Sequence, residues 1–274
     1  MNTLEKNAIV VGASGGIGSE IVKRLNRRGY RITLVDKDVR ACEELAAQVR
    51  AAPIVQLDLT DRAAVEGLCQ RIREEGERWD VAIFNAGIIC PKSLIESSGR
   101  ELDLQLEINL RSGIHVIQAF ADSMCRRGAG HIITTVSQGG IISMKGSAVY
   151  SATKFGLRAT LMALKSEIAH HGVKVSGVYP SGVDTQMLRF EARNGGSALN
   201  FVSVPQTVAD IGNAFEKALD SGRLEVYPSW TDSLMTRFVA SFPWLLPYIL
   251  PFMEKLGEKG RTRYLERIGE EESG

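Results

Sequence analysis

A tyrosine and a lysine stand four residues apart in the stretch "YSATK", Tyr150 to Lys154. On a helix that spacing puts both side chains on one face, within reach of each other. A phenol beside an ammonium releases its proton more readily, because the positive charge favours the phenolate, so the pair is a candidate general base. The same spacing also occurs in helices that do no chemistry, and its meaning depends on its surroundings. A second feature lies near the start of the chain. "GASGGIG", Gly12 to Gly18, follows an apolar run and opens a helix pattern. Glycines there permit a tight turn and a close backbone approach to phosphate, with the positive end of the helix facing the anion. The spacing is Gly12-x-x-x-Gly16-x-Gly18 rather than the commoner G-x-G-x-x-G. About 20 residues further on, Asp36 ends the next apolar run, where an acid can accept hydrogen bonds from an adenosine ribose.

These residues need a scaffold, and the chain alternates between two periodicities. "NAIVVG", "RITLVD", "IVQLD", "VAIFNAG", "HIITTVS" and "KVSGVYP" are short apolar runs rich in β-branched residues. Between the earlier ones lie the helical patterns "GIGSEIVKRLNRRG", "ACEELAAQVRAA" and "RAAVEGLCQRIREEG". Unbroken apolar strands are buried on both faces, as in a parallel sheet covered by helices. The alternation predicts an α/β fold, a doubly wound parallel sheet of Rossmann type. No linker or repeat interrupts it before about Pro228, which predicts one domain, residues 1–228, followed by a hydrophobic C-terminal extension, residues 229–274.

Composition narrows the function. The chain has 274 residues, 44% of them hydrophobic and 24% charged, enough for a sizeable core. A net charge of +1 gives no reason to expect a nucleic-acid partner. The four cysteines, Cys42, Cys69, Cys90 and Cys125, contain no C-x-x-C, and the histidines (His115, His131, His170, His171) make no metal-ligand spacing with them, so no metal is expected. "MNTLEKNAIVVGASGG" reaches a strand too soon for a signal peptide, and the expectation is a cytoplasmic, reduced protein.

From Ala8 to Pro228 the sequence resembles the short-chain dehydrogenases/reductases. The family's glycine loop is matched by Gly12, Gly16 and Gly18, and its aspartate near the adenine by Asp58 in "LDLTD". Its Asn-Asn-Ala-Gly turn is matched by "FNAG" with Asn85, Ala86 and Gly87, and its helix asparagine by Asn109 in "EINL". Ser137 in "TTVS" matches the catalytic serine, Tyr150 and Lys154 the Tyr-x-x-x-Lys pair, and "PSGVDT" the segment beside the nicotinamide. Val11, Phe84 and Ser181 depart from the family's usual threonine, asparagine and glycine; none of these removes a proton-transfer group.

The resemblance implies hydride transfer between a nicotinamide and an alcohol or carbonyl carbon. It makes Tyr150 the general acid/base, with Lys154 supplying positive charge and holding the nicotinamide ribose. Ser137 would hold the substrate oxygen, and Asn109 a water linking Lys154 to solvent. It assigns cofactor binding to Gly12, Ser14, Gly16, Ile17, Gly18, Asp36, Asp58, Leu59, Asn85, Ala86, Gly87, Tyr150, Lys154, Pro180, Gly182, Val183 and Thr185. A carboxylate at Asp36 repels a 2′-phosphate, so NAD is expected, with NADP the alternative because Lys37 follows. Rival readings are an NADPH-dependent reductase of acyl-thioesters or small ketones, and a dinucleotide-binding regulator without catalysis. The regulator would be expected to lack one of Ser137, Tyr150 or Lys154, and all three are present.

The substrate wall is expected in "QMLRFEARNGGSALNFVS", where Met187, Leu188, Phe190, Leu199 and Phe201 are apolar and Gly195-Gly196 is a candidate hinge. The resemblance also implies a homodimer or homotetramer, paired through the Tyr-x-x-x-Lys helix and the helix before it. In the extension, "FVASFPWLLPYILPFM", Phe238 to Met253, is nearly all apolar. It is shorter than the ~20 residues that span a bilayer, and Pro243, Pro247 and Pro251 are expected to interrupt any long helix. Trp230, Trp244 and Tyr248, with Arg237, Lys255, Lys259, Arg261 and Arg263 nearby, suit a membrane surface. Subunit contact and a substrate lid are the alternatives, and a lid or membrane contact favours a lipophilic alcohol or ketone.

Overall fold

The apolar runs form the strands of a single sheet. A computed structural model describes residues 6–50, 53–74 and 78–273. The strands are β1 Lys6–Val11, β2 Tyr30–Asp36, β3 Ile54–Gln56, β4 Val81–Phe84, β5 Gly130–Thr135, β6 Val173–Val178 and β7 Glu225–Val226. They lie in the order β3-β2-β1-β4-β5-β6-β7, every pair parallel. In β1, Val10 sits between Leu34 and Ile83. Successive side chains enter opposite cores. Val10, Leu34 and Ile83 pack with Ile21, Leu25, Ile211 and Phe215, whereas Ile9, Val11 and Phe84 pack with Leu68, Ile72, Phe120 and Leu157.

The covering helices are α1 Gly16–Arg27, α2 Val39–Ala46, α3 Arg62–Arg73, α4 Gly99–Leu106, α5 Ser112–Arg127, α6 Ala148–Glu167, α7 Gln186–Arg193, α8 Val208–Ser221, α9 Trp230–Ala240 and α10 Leu246–Ser273. This is the expected Rossmann-type fold in one domain. The sheet reverses its strand order beside β1, and the crevice outside the carboxyl ends of β1 and β4 is where such sheets bind ligands. The helices α2 and α3 end earlier than their sequence patterns, at Ala46 and Arg73; the ends of those patterns, at 51–52 and 75–76, fall outside the described residues.

The extension corrects one expectation. The prolines do not prevent a long helix, since α10 runs for 28 residues through Pro251. Pro247 stands in the first turn, where its missing N–H had no partner to lose. Pro251 forfeits the bond to the Pro247 carbonyl, but both prolines are exposed. The remaining turns dock on the substrate side of the fold. Leu188, Ala192, Phe201, Tyr264 and Ile268 share a small core. Tyr264 Oη donates to Asp184 at 2.6 Å, and Arg267 reaches the same carboxylate at 2.7 Å. Among the described residues no helix is long and apolar enough to cross a membrane.

Two glycines permit this docking. A Cβ on Gly257 would collide with the Ala198 carbonyl, and one on Gly260 with the Phe201 carbonyl. Gly260→Ala is therefore expected to lift α10 off the body. Hydrogen exchange of amides in 252–273 should accelerate at least about tenfold relative to the sheet strands, which open only in global unfolding. Unchanged protection would show that α10 is held elsewhere.

Candidate active site

At the carboxyl ends of β1, β2, β4 and β5 the structure opens into a cleft of about 700 Å³. This is within the range of ligand sites, ~300–1,000 Å³. Its nucleotide end is built from glycine contacts. Gly12 has φ +83°, and a Cβ there would lie 2.5 Å from the Ala86 nitrogen, so the first loop and the "FNAG" turn touch backbone to backbone. Gly16 lies beside the Thr185 methyl, and Thr185 caps α7 by accepting from the Leu188 N–H. Ser14 N–H donates to Asp36 Oδ2 at 3.0 Å, which joins the loop to the end of β2. Asp58 accepts from the Thr60 N–H and hydroxyl, and these bonds hold its carboxyl below the usual carboxylate range. Ile17, Leu59, Gly87, Pro180, Gly182 and Val183 complete the expected lining.

Two predicted residues do not reach the cleft. Gly18 is buried against the Gly12 carbonyl, where any side chain would clash; it lets α1 start close under the loop instead of touching a ligand. Asn109 is fully buried behind Gly87. It belongs to a π-helical stretch, Glu107–Arg111, between α4 and α5. Such a bulge re-aims a side chain that a regular helix would place elsewhere. Asn109 Oδ1 accepts from the Ile88 N–H at 2.8 Å, and Nδ2 donates to the Ile88 carbonyl at 2.8 Å and to Thr153 Oγ1 at 3.3 Å. Its amide thus clamps the Gly87–Ile88 turn to α6.

Tyr150 lies in the first turn of α6 and Lys154 one turn on, as the spacing implied. Lys154 is 3% exposed, donates to the Thr135 carbonyl at 3.1 Å, and places Nζ 5.6 Å from the Tyr150 ring centroid. The Ser137 hydroxyl lies beside the phenol ring, since a Cβ on Gly139 would be 3.4 Å from Ser137 Oγ and 3.2 Å from the Tyr150 ring. That hydroxyl accepts from the Gly139 N–H at 3.1 Å. The electrostatics differ from the sequence expectation. Burial holds the Tyr150 phenol above its ordinary value, opposed by the nearby Ser137 hydroxyl and reinforced by the Glu191 carboxylate. Burial also lowers Lys154 to about 8, because nothing anionic compensates its desolvation.

Sequence reasoning missed three features. Gly139 and Gly140 let the turn after β5 press on α6: a Cβ on Gly139 would lie 3.2 Å from the Tyr150 ring, and one on Gly140 2.7 Å from the Lys154 carbonyl. The paired glycines of "SQGG" were a readable signal. Glu191 and Asn200 line the cleft, but nothing local in the sequence marks them. Ser137 adopts φ 105°, ψ 152°, the only positive φ of a non-glycine among the described residues.

The residues fit a nicotinamide dinucleotide: a glycine cradle for phosphate, a strand-end carboxylate for a ribose, and a lysine with donors to spare. No group of three or more His, Cys, Asp or Glu that could hold a metal occurs among the described residues. The family model for short chain dehydrogenase matches residues 6–195. The chain belongs to the short chain dehydrogenase family. It is an oxidoreductase of the alcohol/ketone class and uses NAD or NADP. An uncharacterized oxidoreductase of Staphylococcus epidermidis is 32% identical over 184 residues, covering 67% of this chain and 80% of that protein. A short-chain type dehydrogenase/reductase of Sinorhizobium fredii is 33% identical over 183 residues, 66% of this chain and 71% of that protein. A short-chain dehydrogenase from Sphingobium yanoikuyae, solved with NADPH, has the same fold at a TM-score of 0.77 and 24% identity, covering 88% of this chain and 95% of that one. An alcohol dehydrogenase from Thermococcus sibiricus, solved with 5-hydroxy-NADP, aligns at 0.69 with 26% identity over 81% of this chain and 95% of that one.

The backbone at Ser137 gives a test independent of turnover. Ser137→Ala and Ser137→Gly both remove the hydroxyl, but only glycine adopts this conformation without strain, which is of order 1–3 kcal/mol. The glycine variant is expected to be the more stable by roughly 1 kcal/mol in urea, after allowing for glycine's larger unfolded-state entropy. Equal stabilities would mean that the backbone at Ser137 relaxes once the hydroxyl is gone.

Proposed function

We propose that the protein moves a hydride between a nicotinamide and a largely apolar alcohol or ketone, with Tyr150 as general acid/base. The observation that carries this reading is the grouping of Ser137, Tyr150 and Lys154 in the cleft that begins at the glycine loop, with Lys154 Nζ 5.6 Å from the Tyr150 ring centroid. When bound, the nicotinamide takes or gives the hydride. In oxidation the substrate hydroxyl sits against Ser137 Oγ and passes its proton to Tyr150. In reduction Tyr150 returns a proton to the carbonyl oxygen. Lys154 holds the cofactor ribose and adds positive charge beside the phenolate. Asn109 acts as a positioning residue, fixing the Gly87–Ile88 turn and, through Thr153, α6. Met144, Met187 and Leu188 make the substrate wall apolar, which supports a lipophilic substrate.

Asp36 lines the nucleotide end of the cleft, and its carboxylate supports NAD over NADP. The neighbours solved with NADP-type cofactors and the adjacent Lys37 support the opposite preference, so the test measures both. Tyr150→Phe is expected to lower turnover of secondary alcohols about 100- to 10,000-fold while fluorescence titration still detects cofactor binding. Asp36→Ala should shift the NAD-to-NADP ratio of kcat/KM about tenfold or more toward NADP, since it removes a repulsion specific to the phosphate. Undiminished turnover by Tyr150→Phe would overturn the mechanism, and a native preference for NADP would overturn the assignment of Asp36.

Two surfaces support association. Ile114 on α5 and Phe155 and Met162 on α6 are exposed apolar residues on the two helices expected to pair subunits. We infer a homodimer or homotetramer built on this face. A second set, Trp230, Phe238, Trp244, Tyr248 and Phe252, is more than half exposed on α9, the turn at Pro243–Leu245 and the start of α10. Arg237 and Lys255 flank these aromatics, a pattern suited to an anionic membrane surface. Phe155→Glu/Met162→Glu is expected to yield monomers in sedimentation velocity without loss of vesicle binding. Trp244→Glu/Phe252→Glu should stay oligomeric and lose co-sedimentation with anionic vesicles. If the second pair alone disrupted the oligomer, the roles of the two surfaces would be exchanged.

A further inference from the structure

The substrate end of the cleft holds one carboxyl that the proton transfer does not use. Glu191, in the last turn of α7, is 6% exposed yet lines the same cavity as Tyr150 and Ser137. The Asn200 amide donates to its Oε2 at 3.1 Å. No other hydrogen bond and no salt bridge to this carboxyl is found among the described residues. A carboxylate can accept about four hydrogen bonds, so most of its capacity is unused. The apolar neighbours Met144, Met187 and Leu188 offer it nothing. Burying such a group with a single neutral donor is costly, and clefts are where chains keep such groups.

The surroundings hold Glu191 rigidly. The Gly196 N–H donates to the Glu191 carbonyl at 2.8 Å, and a Cβ on Gly196 would lie 2.7 Å from the Glu191 Cβ, so the Gly195-Gly196 turn presses on it. Arg261 of α10 donates to the Gly196 carbonyl at 3.0 Å and fixes that turn from outside. Asn200 is fixed in its turn, with its backbone carbonyl against Gly182; a Cβ on Gly182 would lie 2.6 Å from it. A mobile hinge at Gly195-Gly196 would not be tied down in this way. The arrangement instead presents one acidic group, at a set position, to whatever occupies the cleft beside Tyr150.

We propose that Glu191, steadied by Asn200, is a second recognition point that reads a hydrogen-bond donor, a hydroxyl or an ammonium, carried by an otherwise apolar alcohol or ketone away from the reacting carbon. This rests on the oxidoreductase reading of the same cleft. Burial pushes the Glu191 carboxyl up to about 7, so near neutrality it exists in both forms. The neutral acid exchanges hydrogen bonds with a hydroxyl, and the anion pairs with an ammonium. Such a group separates substrates that share a skeleton and differ in one donor, because an analogue without the donor leaves the acid unpaired.

The test uses three ring alcohols: cyclohexanol, the diol with a second hydroxyl across the ring, and the corresponding amino alcohol. For the wild type, kcat/KM is expected to favour the two donor-bearing alcohols. In Glu191→Leu the ratio of donor-bearing to plain alcohol should fall about 10- to 100-fold, the worth of a hydrogen bond to a charged group. Glu191→Gln should keep the preference for the diol and lose that for the amine, which separates hydroxyl from ammonium recognition. A purely structural role would lower all three alcohols together and leave the ratio unmoved; that result overturns the proposal. Binding is read separately in Tyr150→Phe with bound reduced cofactor, from ligand-induced shifts in Tm. If the wild type turned over none of the alcohols but binding kept a donor preference that Glu191→Leu abolished, the catalytic reading would fail and the recognition point would stand. Turnover with no preference in either assay would sink the recognition point alone.

Discussion

A chain of four groups ties the floor of the cleft together. Asn85 Nδ2 donates to the Gly12 carbonyl at 2.8 Å, the Thr135 hydroxyl donates to Asn85 Oδ1 at 2.7 Å, and Lys154 Nζ donates to the Thr135 carbonyl at 3.1 Å. The bonds run from the glycine loop after β1, through the turn after β4 and the end of β5, to α6. Three strand ends and one helix are thereby locked in register. Each group is at least partly shielded from water, so a missing member would leave an unpaired donor or acceptor, at about 1–3 kcal/mol. The nucleotide end and the proton-transfer end of the cleft therefore form one unit. Asn85, expected to contact the cofactor, has both ends of its amide engaged in joining those halves.

The same economy of space explains the electrostatics. Lys154 is held by a backbone carbonyl and not by a carboxylate, so burial lowers its proton affinity instead of raising it. An anionic partner would fix the charge permanently and compete with a ribose for the ammonium. Leaving it unpaired costs stability in the free chain but keeps donors available. Tyr150 follows the same pattern, since the enclosure that excludes water also disfavours the phenolate.

Much of this was legible in the sequence, because the informative signals were local. Alternating apolar runs and helical periodicities fix a parallel sheet, and a strand-end glycine loop can serve only a few purposes. Gly12, Asp36, Ser137, Tyr150 and Lys154 all reach the cleft for that reason. The strain at Ser137 was not legible, because nothing in "TTVSQGG" marks a serine with a φ of 105°. The position of Asn109 also escaped, since nothing in "EINL" announces a π-bulge. The helix α10 was misjudged for a different reason. Proline counts against a helix by a local rule, but both prolines lie near its exposed start, and the glycine-mediated docking further along outweighs the lost bond.

The substrate wall is the least local part of the molecule. Met187, Leu188 and Glu191 lie on α7, Asn200 on the turn that follows, Met144 some 40 residues earlier, and the helix that braces them more than 50 residues later. Tyr264 and Arg267 of α10 both hold Asp184, immediately before α7, and Arg261 holds the Gly196 carbonyl immediately after it. The two ends of α7 are thus gripped by the C-terminal helix, and Leu188 of the cleft wall also packs with its Tyr264 and Ile268. On the proposed function, cofactor binding and proton transfer would rest on the sheet, whose geometry allows little variation. Substrate choice would rest on α7, whose ends are held by contacts from outside the sheet. The contacts of α10 with α7 are separate from the bonds that run from Gly12 to Lys154, so on the proposed function a change in α10 would reach the substrate wall before it reached the floor of the cleft.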